Sequence, residues 1–159
     1  MKISVHNRQS KRRPNIRKLA ALAHFFMRLA VRRNPASCWN NITVVLTDHV
    51  RIAALNRVFL NKTADTDVIA FQSNPVPGFG TGVSGEIHLD VERAIEAGKY
   101  RGGATGELAL YLAHGCDHLT GADDRTVRQR RRMRRRELRW ICRARQAGLM
   151  EGLWGRNAE

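Results

Sequence analysis

The sequence predicts a layered α/β or α+β fold in which helices pack on a small β-sheet. Short β-branched segments alternate along the chain with longer segments whose apolar residues recur every three to four positions. These are the periods of strands and helices, and elements mixed in this way form layers around one core. At 159 residues, 43% of them hydrophobic, the chain has the size and apolar content of one globular domain. We therefore predict a single domain over residues 1–159.

The elements of the first half follow from the spacing of apolar residues. Ile3 and Val5 alternate with polar neighbours and predict an edge strand. Next, apolar residues between Ile16 and Ala30 recur at helical spacing, with a proline near each end of the segment. The following segments predict a strand at 42–46, a helix at about 48–59 and a strand at 68–71.

The second half begins with a Gly/Pro-rich segment at 74–85, which predicts a loop before a strand at 87–91. Helices are expected at roughly 91–97, 105–119 and 125–147. Gly121 is expected to end the second of these helices. The order of the strands does not follow from this pattern.

The charge of the chain is large and unevenly placed. Lys and Arg number 28 against 14 acidic residues, for a net charge of +14. Residues 1–47, 48–124 and 125–159 carry +10, −5 and +9 in turn. Two basic flanks around an acidic centre suggest a surface that grips a nucleic-acid backbone and frames a site where carboxylates have a separate role. The alternative is that the basic ends only aid solubility.

The cysteines and the apolar segments indicate the compartment. Cys38, Cys116 and Cys142 are odd in number and form no Cys-x-x-Cys pair, which argues for a reducing compartment and against a disulfide scaffold. The most apolar stretch, 19–31, is interrupted by charge and predicts no transmembrane span. The Arg-rich start could imitate an organellar transit peptide, but the strand predicted there favours a cytoplasmic location.

Residues 114–124, with the sequence HGCDHLTGADD, predict a mononuclear metal site. His114 and His118 lie four apart on one helix, about 40° apart around its axis. Gly121 allows the backbone to reverse, so that Asp124 can return as a third ligand. Two imidazoles and one carboxylate leave a position open for a water, whose pKa bound zinc lowers to about 7. The alternative is a pair of half-exposed histidines that flank a packed apolar stripe.

Asp117 is the candidate catalytic side chain. On the helix it lies about 60° from His114, where it could orient that histidine or take a proton from the metal's water. The alternative is a solvated surface aspartate. If Asp117 is catalytic, replacing it with asparagine lowers turnover without loss of metal. Cys116 points away from both histidines and is predicted to lie in the core.

The same segment resembles the signature of the YbeY endoribonuclease family of ribosomal RNA maturation factors, His-Gly-x-Leu-His-Leu-x-Gly-Tyr-Asp-His. The residues in register are His114, Gly115, His118, Leu119, Gly121 and Asp123. Leu55-Asn56, the segment TDVIAF at 66–71, GEI at 85–87, Met133 and Glu137 also resemble family features. The resemblance covers about residues 40–150.

This resemblance implies an α+β fold with a small mixed sheet of about four strands and helices packed around it. It also implies one divalent ion, expected to be zinc, and hydrolysis of single-stranded RNA in small-subunit ribosomal RNA maturation. The expected partners are ribosomal RNA and the small ribosomal subunit; neither DNA nor a membrane is expected, and the oligomeric state stays open. The departures from the family pattern are Asp124 for the third histidine, Leu60 for an arginine, Asp117 for a leucine and Ala122 for a tyrosine.

The last predicted helix carries eleven arginines between Arg125 and Arg145, around a narrow seam of Met133, Trp140, Ile141 and Ala144. Guanidinium groups bind phosphates through paired hydrogen bonds. No aromatic residues interleave the arginines, which favours contact with the backbone over contact with bases. We predict RNA binding by Arg128, Arg132, Arg135, Arg136 and Arg139. The alternative is a solvated helix whose charge reflects a compositional preference for arginine.

Two other functions fit the sequence. One is a non-catalytic RNA-binding ribosome-assembly factor with a degenerate metal site, which Leu60 and Asp124 favour. The other is a non-haem iron oxygenase, which also uses two histidines and one carboxylate. Metal-dependent RNA cleavage separates the first from an endoribonuclease, and a requirement for iron and oxygen identifies the second. Thr66 and Asp67 are expected to shape the floor of the groove rather than to react.

Overall fold

The computed structural model describes residues 1–35, 38–61, 63, 66–74 and 82–155, with only the backbone of Leu60. Within these residues four strands and five helices follow one another along the chain. In chain order they are β1 (Lys2–Asn7), α1 (Ile16–Arg33), β2 (Trp39–Thr47), α2 (His49–Leu60), β3 (Val68–Ser73), β4 (Val83–Asp90), α3 (Val91–Gly98), α4 (Ala104–Leu119) and α5 (Val127–Gln146).

The strands form one mixed sheet in the order β1-β2-β4-β3. Strands β1, β2 and β4 are parallel, and β3 pairs antiparallel with β4. The predicted α+β fold with a four-stranded mixed sheet is confirmed, and β1 is the edge strand that the N-terminal alternation predicted. Strand β4 lies between β2 and β3 although it follows both in sequence, so that β3 occupies the other edge.

Helix α4 lies close to the sheet because two glycines leave room for it. A Cβ atom on Gly115 of α4 would lie 2.6 Å from Cγ2 of Ile87, and one on Gly85 of β4 would lie 2.8 Å from Cδ1 of Leu119. Side chains at these positions would force the two elements apart, because protein interiors are close-packed. The core between them is fully buried at Ile87, Leu108 and Leu112.

Strand β4 begins earlier than the sequence predicted. Its first residue is Val83, inside the segment predicted as loop, and Gly85 is a strand residue whose missing side chain accommodates α4. The Gly/Pro pattern therefore indicated a turn at a position where glycine serves close packing instead. Residues 75–81 of the predicted loop lie outside the described part of the chain.

All three cysteines are unpaired, in agreement with the prediction of no disulfide scaffold. Cys116 is fully buried, as predicted, whereas Cys38 and Cys142 are exposed. Among the described helices, none combines the length and the apolar character that crossing a membrane requires.

Candidate metal centre

The turn that ends α4 brings the predicted ligands together. Gly121 has a φ of +83°, its N–H donates to the carbonyl of His118 at 2.9 Å, and the N–H of Ala122 donates to the carbonyl of Asp117 at 3.0 Å. This pair of bonds is the Schellman arrangement that glycine permits at a helix end. The chain therefore doubles back and carries Asp124 toward the two histidines, as the sequence predicted.

Each histidine is oriented by a hydrogen bond at its Nδ1 atom. Nδ1 of His118 donates to the carbonyl of Ala122 at 3.0 Å, since a carbonyl oxygen can only accept. Nδ1 of His114 lies 2.6 Å from Oε1 of Glu137, which is 2% exposed on α5. With both Nδ1 atoms engaged, the Nε2 atoms carry the lone pairs that can bind a metal. Partners behind metal-binding histidines have this role in known metal sites.

The three candidate ligand atoms lie at distances that suit one ion. The Nε2 atoms of His114 and His118 are 2.9 Å apart, and Oδ2 of Asp124 lies 3.9 and 3.8 Å from them. Three atoms with these separations lie on a circle of radius about 2.1 Å, which is the length of zinc bonds to nitrogen and oxygen. The residues present therefore fit a zinc-like ion.

The pKa values of the two histidines move in opposite directions. Burial works against a charge on His114, but the hydrogen bond and charge of Glu137, with Asp67 and Asp124, outweigh it and raise the pKa of His114. Burial and the adjacent His114 lower the pKa of His118. Two Nε2 atoms 2.9 Å apart need a positive charge between them, either a proton or an ion. Oδ2 of Asp124 is almost equidistant from both and lies where it could bind the same ion.

A cavity of about 230 Å³ opens beside His114. It is lined at the start of β3 by Asp67 and Val68, by Asp124, and by residues of α4 and α5. The charged groups in its wall are three carboxylates and two guanidinium groups, apart from the histidine. A divalent ion would change the balance of these groups from net negative to net positive, which would favour the binding of an anionic group.

Comparison with known proteins shows the family to which this chain belongs. The sequence profile described as endoribonuclease YbeY matches residues 4–144. The chain belongs to the YbeY endoribonuclease family. The profile begins well before the segments that carry the resemblance in the sequence, so β1 and α1 are also part of the YbeY pattern.

Curated relatives agree with the profile. Endoribonuclease YbeY of Salinibacter ruber is 32% identical over 107 residues, which cover 64% of this chain and 68% of the relative. The YbeY protein of an Anaeromyxobacter species is 38% identical over 97 residues, covering 60% of this chain and 50% of the relative. The YbeY protein of a Nocardioides species is 31% identical over 126 residues, covering 75% of this chain and 82% of the relative. The matches thus span between half and four fifths of these relatives.

A solved structure supports the fold. The solution structure of TM1509 from Thermotoga maritima superimposes with a TM-score of 0.56 at 17% sequence identity, over 99% of both chains. The two proteins therefore share the same fold.

Asp117 requires a correction. The sequence predicted either a solvated surface aspartate or a side chain that contacts His114, but the residue is fully buried and Glu137 is the acceptor for His114. Oδ2 of Asp117 accepts two hydrogen bonds from Arg136, one of them from Nε at 2.8 Å, and Nε of Arg33 lies 3.2 Å from Oδ1. Asp117 therefore connects α4 to α5 and α1. A direct part in the reaction stays a prediction.

The predicted RNA-binding arginines do not line the cavity. Arg128, Arg132, Arg135 and Arg139 are exposed on the opposite side of α5 from Glu137. For Arg136 the prediction needs correction, because its side chain is only 13% exposed and is bound to Asp117. The positions of all five arginines relative to the site depend on the rotation of α5 about its axis. Packing of the buried seam of α5 against the rest of the protein determines this rotation.

The arginines at the cavity are Arg130 and Arg134, which were not among the predicted RNA-binding residues. Nη1 of Arg130 donates to the carbonyl oxygens of Asp124 and Arg125, at 3.0 Å each. The signal that could have found them is Glu137, the acidic residue within the apolar seam of α5. Arg134 lies three residues and Arg130 seven residues before it, on the same face of the helix. Thr66 donates to the carbonyl of Val68 at 2.8 Å, which is the local role predicted for it.

Proposed function

We propose that this YbeY-family protein is a metal-dependent endoribonuclease that cuts single-stranded RNA in small-subunit ribosomal RNA maturation. His114, His118 and Asp124 hold one divalent ion, which we propose to be zinc. The observation that carries the proposal is the pair of Nε2 atoms 2.9 Å apart, each fixed by a hydrogen bond at Nδ1 and both facing Oδ2 of Asp124. Family membership supports RNA as the substrate.

The ion would supply Lewis acidity, which acidifies an attacking water and offsets charge on the phosphodiester. Side chains of the cavity orient the histidines and transfer protons. Glu137 holds the ring of His114 in place, and the carbonyl of Ala122 does the same for His118. The sequence predicted that Asp67 shapes the groove rather than reacts. Because Asp67 lies in the cavity wall on the side of β3, we propose instead that its carboxylate accepts a proton from a bound water or from a ribose hydroxyl.

Arg130 and Arg134 are the cationic groups in position to bind the substrate phosphate. Both line the cavity with His114 and Asp124, and a guanidinium group can bind two phosphate oxygens at once. If the family arginine that Leu60 replaces positions the substrate phosphate, Arg130 and Arg134 can take this role. The side chain of Leu60 lies outside the described part of the chain. In this proposal the loss of that arginine leaves phosphate binding intact.

The test is cleavage of an unstructured RNA oligonucleotide by the purified full chain, with metal content measured on the same sample. We expect cleavage that stops after treatment with a chelator and returns on addition of Zn²⁺ or Mn²⁺. Internal fragments identify an endonuclease, and a DNA oligonucleotide of the same sequence serves as the control substrate.

Three results would contradict the proposal. Metal bound at one equivalent without cleavage favours a non-catalytic RNA-binding assembly factor. Cleavage that is insensitive to the chelator rules out the metal at this site as the source of activity. Activity that requires iron and oxygen favours the oxygenase alternative.

Replacing Glu137 with glutamine is expected to weaken zinc binding about 10- to 100-fold, the usual cost of losing the partner behind a metal-binding histidine. Glutamine keeps the size of the side chain but removes the charge that makes His114 a stronger donor. Competition with a chelating dye measures the change. The control is Glu96→Gln, an exposed glutamate on α3, which should bind zinc as the wild type does. Equal affinities in both variants would contradict the role of Glu137.

A further inference from the structure

Helix α5 carries arginines on two opposite faces. Glu137 points toward His114, and Arg130 and Arg134 line the cavity on that side. At 100° per residue, Arg128, Arg132, Arg135 and Arg139 are rotated from Glu137 by about 160–220° and form what we call the outer arginine row. The two faces are separated by the thickness of the helix, about 10–12 Å with its side chains.

The outer arginine row has almost no counter-charge. All four side chains are exposed, and those of Arg128, Arg132 and Arg139 form no hydrogen bond or ion pair with any residue that the structure describes. Nε of Arg135 donates only to the backbone carbonyl of Arg131, at 3.4 Å. The acidic residue within α5 is Glu137, which points inward. From Arg128 to Arg139 the row extends over about 16 Å of helix.

Unpaired like charges in a row repel one another, so the row suits a polyanion with regularly spaced charges. Proteins that hold single strands add aromatic side chains on which bases stack. The aromatic residue of α5, Trp140, faces the core and is only 7% exposed. Duplex RNA hides its base faces and presents phosphates and ribose hydroxyls, which guanidinium groups can bind.

We propose that the outer arginine row binds the sugar–phosphate backbone of an RNA duplex that adjoins the single strand to be cut. This inference rests on the proposed function, because it assigns the cavity to the strand and the opposite face of α5 to the duplex. The substrate is then an RNA in which a paired element lies next to the cleavage site. The duplex would position the strand without base-specific contacts.

The experiment compares two RNAs by their affinity for the full chain. One is a hairpin with a single-stranded tail, and the other is the tail alone as an oligonucleotide. The test variant is Arg128→Gln/Arg132→Gln/Arg139→Gln. The matched control, Arg17→Gln/Arg28→Gln/Arg32→Gln, removes the same charge from exposed positions of α1. Chelator-treated protein keeps the RNA intact during the measurement.

We expect the test variant to lose at least about 10-fold in affinity for the hairpin, and the slope of log Kd against log salt to fall by roughly 2–3. Its affinity for the tail should change less, and the control variant should keep a ratio of hairpin to tail affinity close to that of the wild type. Equal losses in both variants, equal losses for both RNAs, or unchanged hairpin binding would each overturn the inference.

A direct measurement uses Cys142, which is exposed three residues after Arg139 on the same side of α5. In a Cys38→Ser background, a photoreactive label on Cys142 should cross-link to the duplex arm, whereas cross-links in the tail alone would overturn the inference. A failure of the proposed function can be distinguished from a failure of this inference. If wild type does not cut the tail but its outer arginine row binds the hairpin, the duplex site stands and the nuclease proposal falls.

Discussion

Replacing His114 with alanine is expected to remove bound metal and RNA cleavage together. The variant loses one of three ligand atoms that lie within 3.9 Å of one another. Removal of a partner behind a ligand costs about 10–100-fold, so removal of the ligand itself should lower metal affinity and cleavage by more than about 100-fold. Metal analysis and cleavage of an unstructured RNA oligonucleotide on the same preparations provide the measurement.

The controls separate the loss of a ligand from a loss of structure. His114→Ala leaves the buried carboxylate of Glu137 without its partner, so the variant could also be destabilised. His118→Ala avoids this problem because its partner is the backbone carbonyl of Ala122, and it should give the same result. His24→Ala, at an exposed position of α1, should leave both properties unchanged. Full cleavage by a folded His118→Ala variant would contradict the proposed site.

Replacing Arg136 with methionine is expected to lower the free energy of unfolding by about 3 kcal/mol. The change removes the closest partner of the fully buried Asp117, and breaking a buried ion pair by removing one partner typically costs about 3–5 kcal/mol. We place the cost at the lower end because Nε of Arg33 remains 3.2 Å from Oδ1. Urea unfolding followed by circular dichroism measures it.

Two comparisons make this prediction specific. Arg139→Met, at an exposed position on the same helix without a side-chain partner among the described residues, should change stability by less than about 0.5 kcal/mol. The double variant Asp117→Leu/Arg136→Met should recover most of the loss, since apolar groups often replace a buried ion pair at little cost. Leucine is also the residue of the YbeY signature at this position. A double variant no more stable than Arg136→Met would contradict the explanation.

The same double variant tests whether Asp117 takes part in the reaction. Both of its oxygens face arginines, and the histidine nearest to it in sequence uses a backbone carbonyl as its partner. If the folded double variant cleaves RNA at the wild-type rate, Asp117 acts only in joining the helices. If it is stable but inactive, the direct role predicted from the sequence is supported.

The features that depend on neighbours along the chain could be predicted from the sequence. Element types follow from the periods of apolar residues, and the candidate metal ligands lie within eleven residues, so that one helical turn and one glycine suffice to bring them together. The seam of α5 was also predictable, because Met133, Trp140, Ile141 and Ala144 share a face and are all buried.

Contacts between groups that are distant in sequence could not be predicted, because they depend on how the helices pack. Glu137 is 23 residues from His114, and Asp117 is 19 residues from Arg136, so neither pair follows from local geometry. The helix period shows which residues of α5 share a face but does not show which element that face contacts. For this reason the sequence placed Asp117 as a possible surface residue and selected outward arginines for the site. Packing of α5 against α4 instead buries Asp117 with Arg136 and directs Arg130 and Arg134 to the cavity.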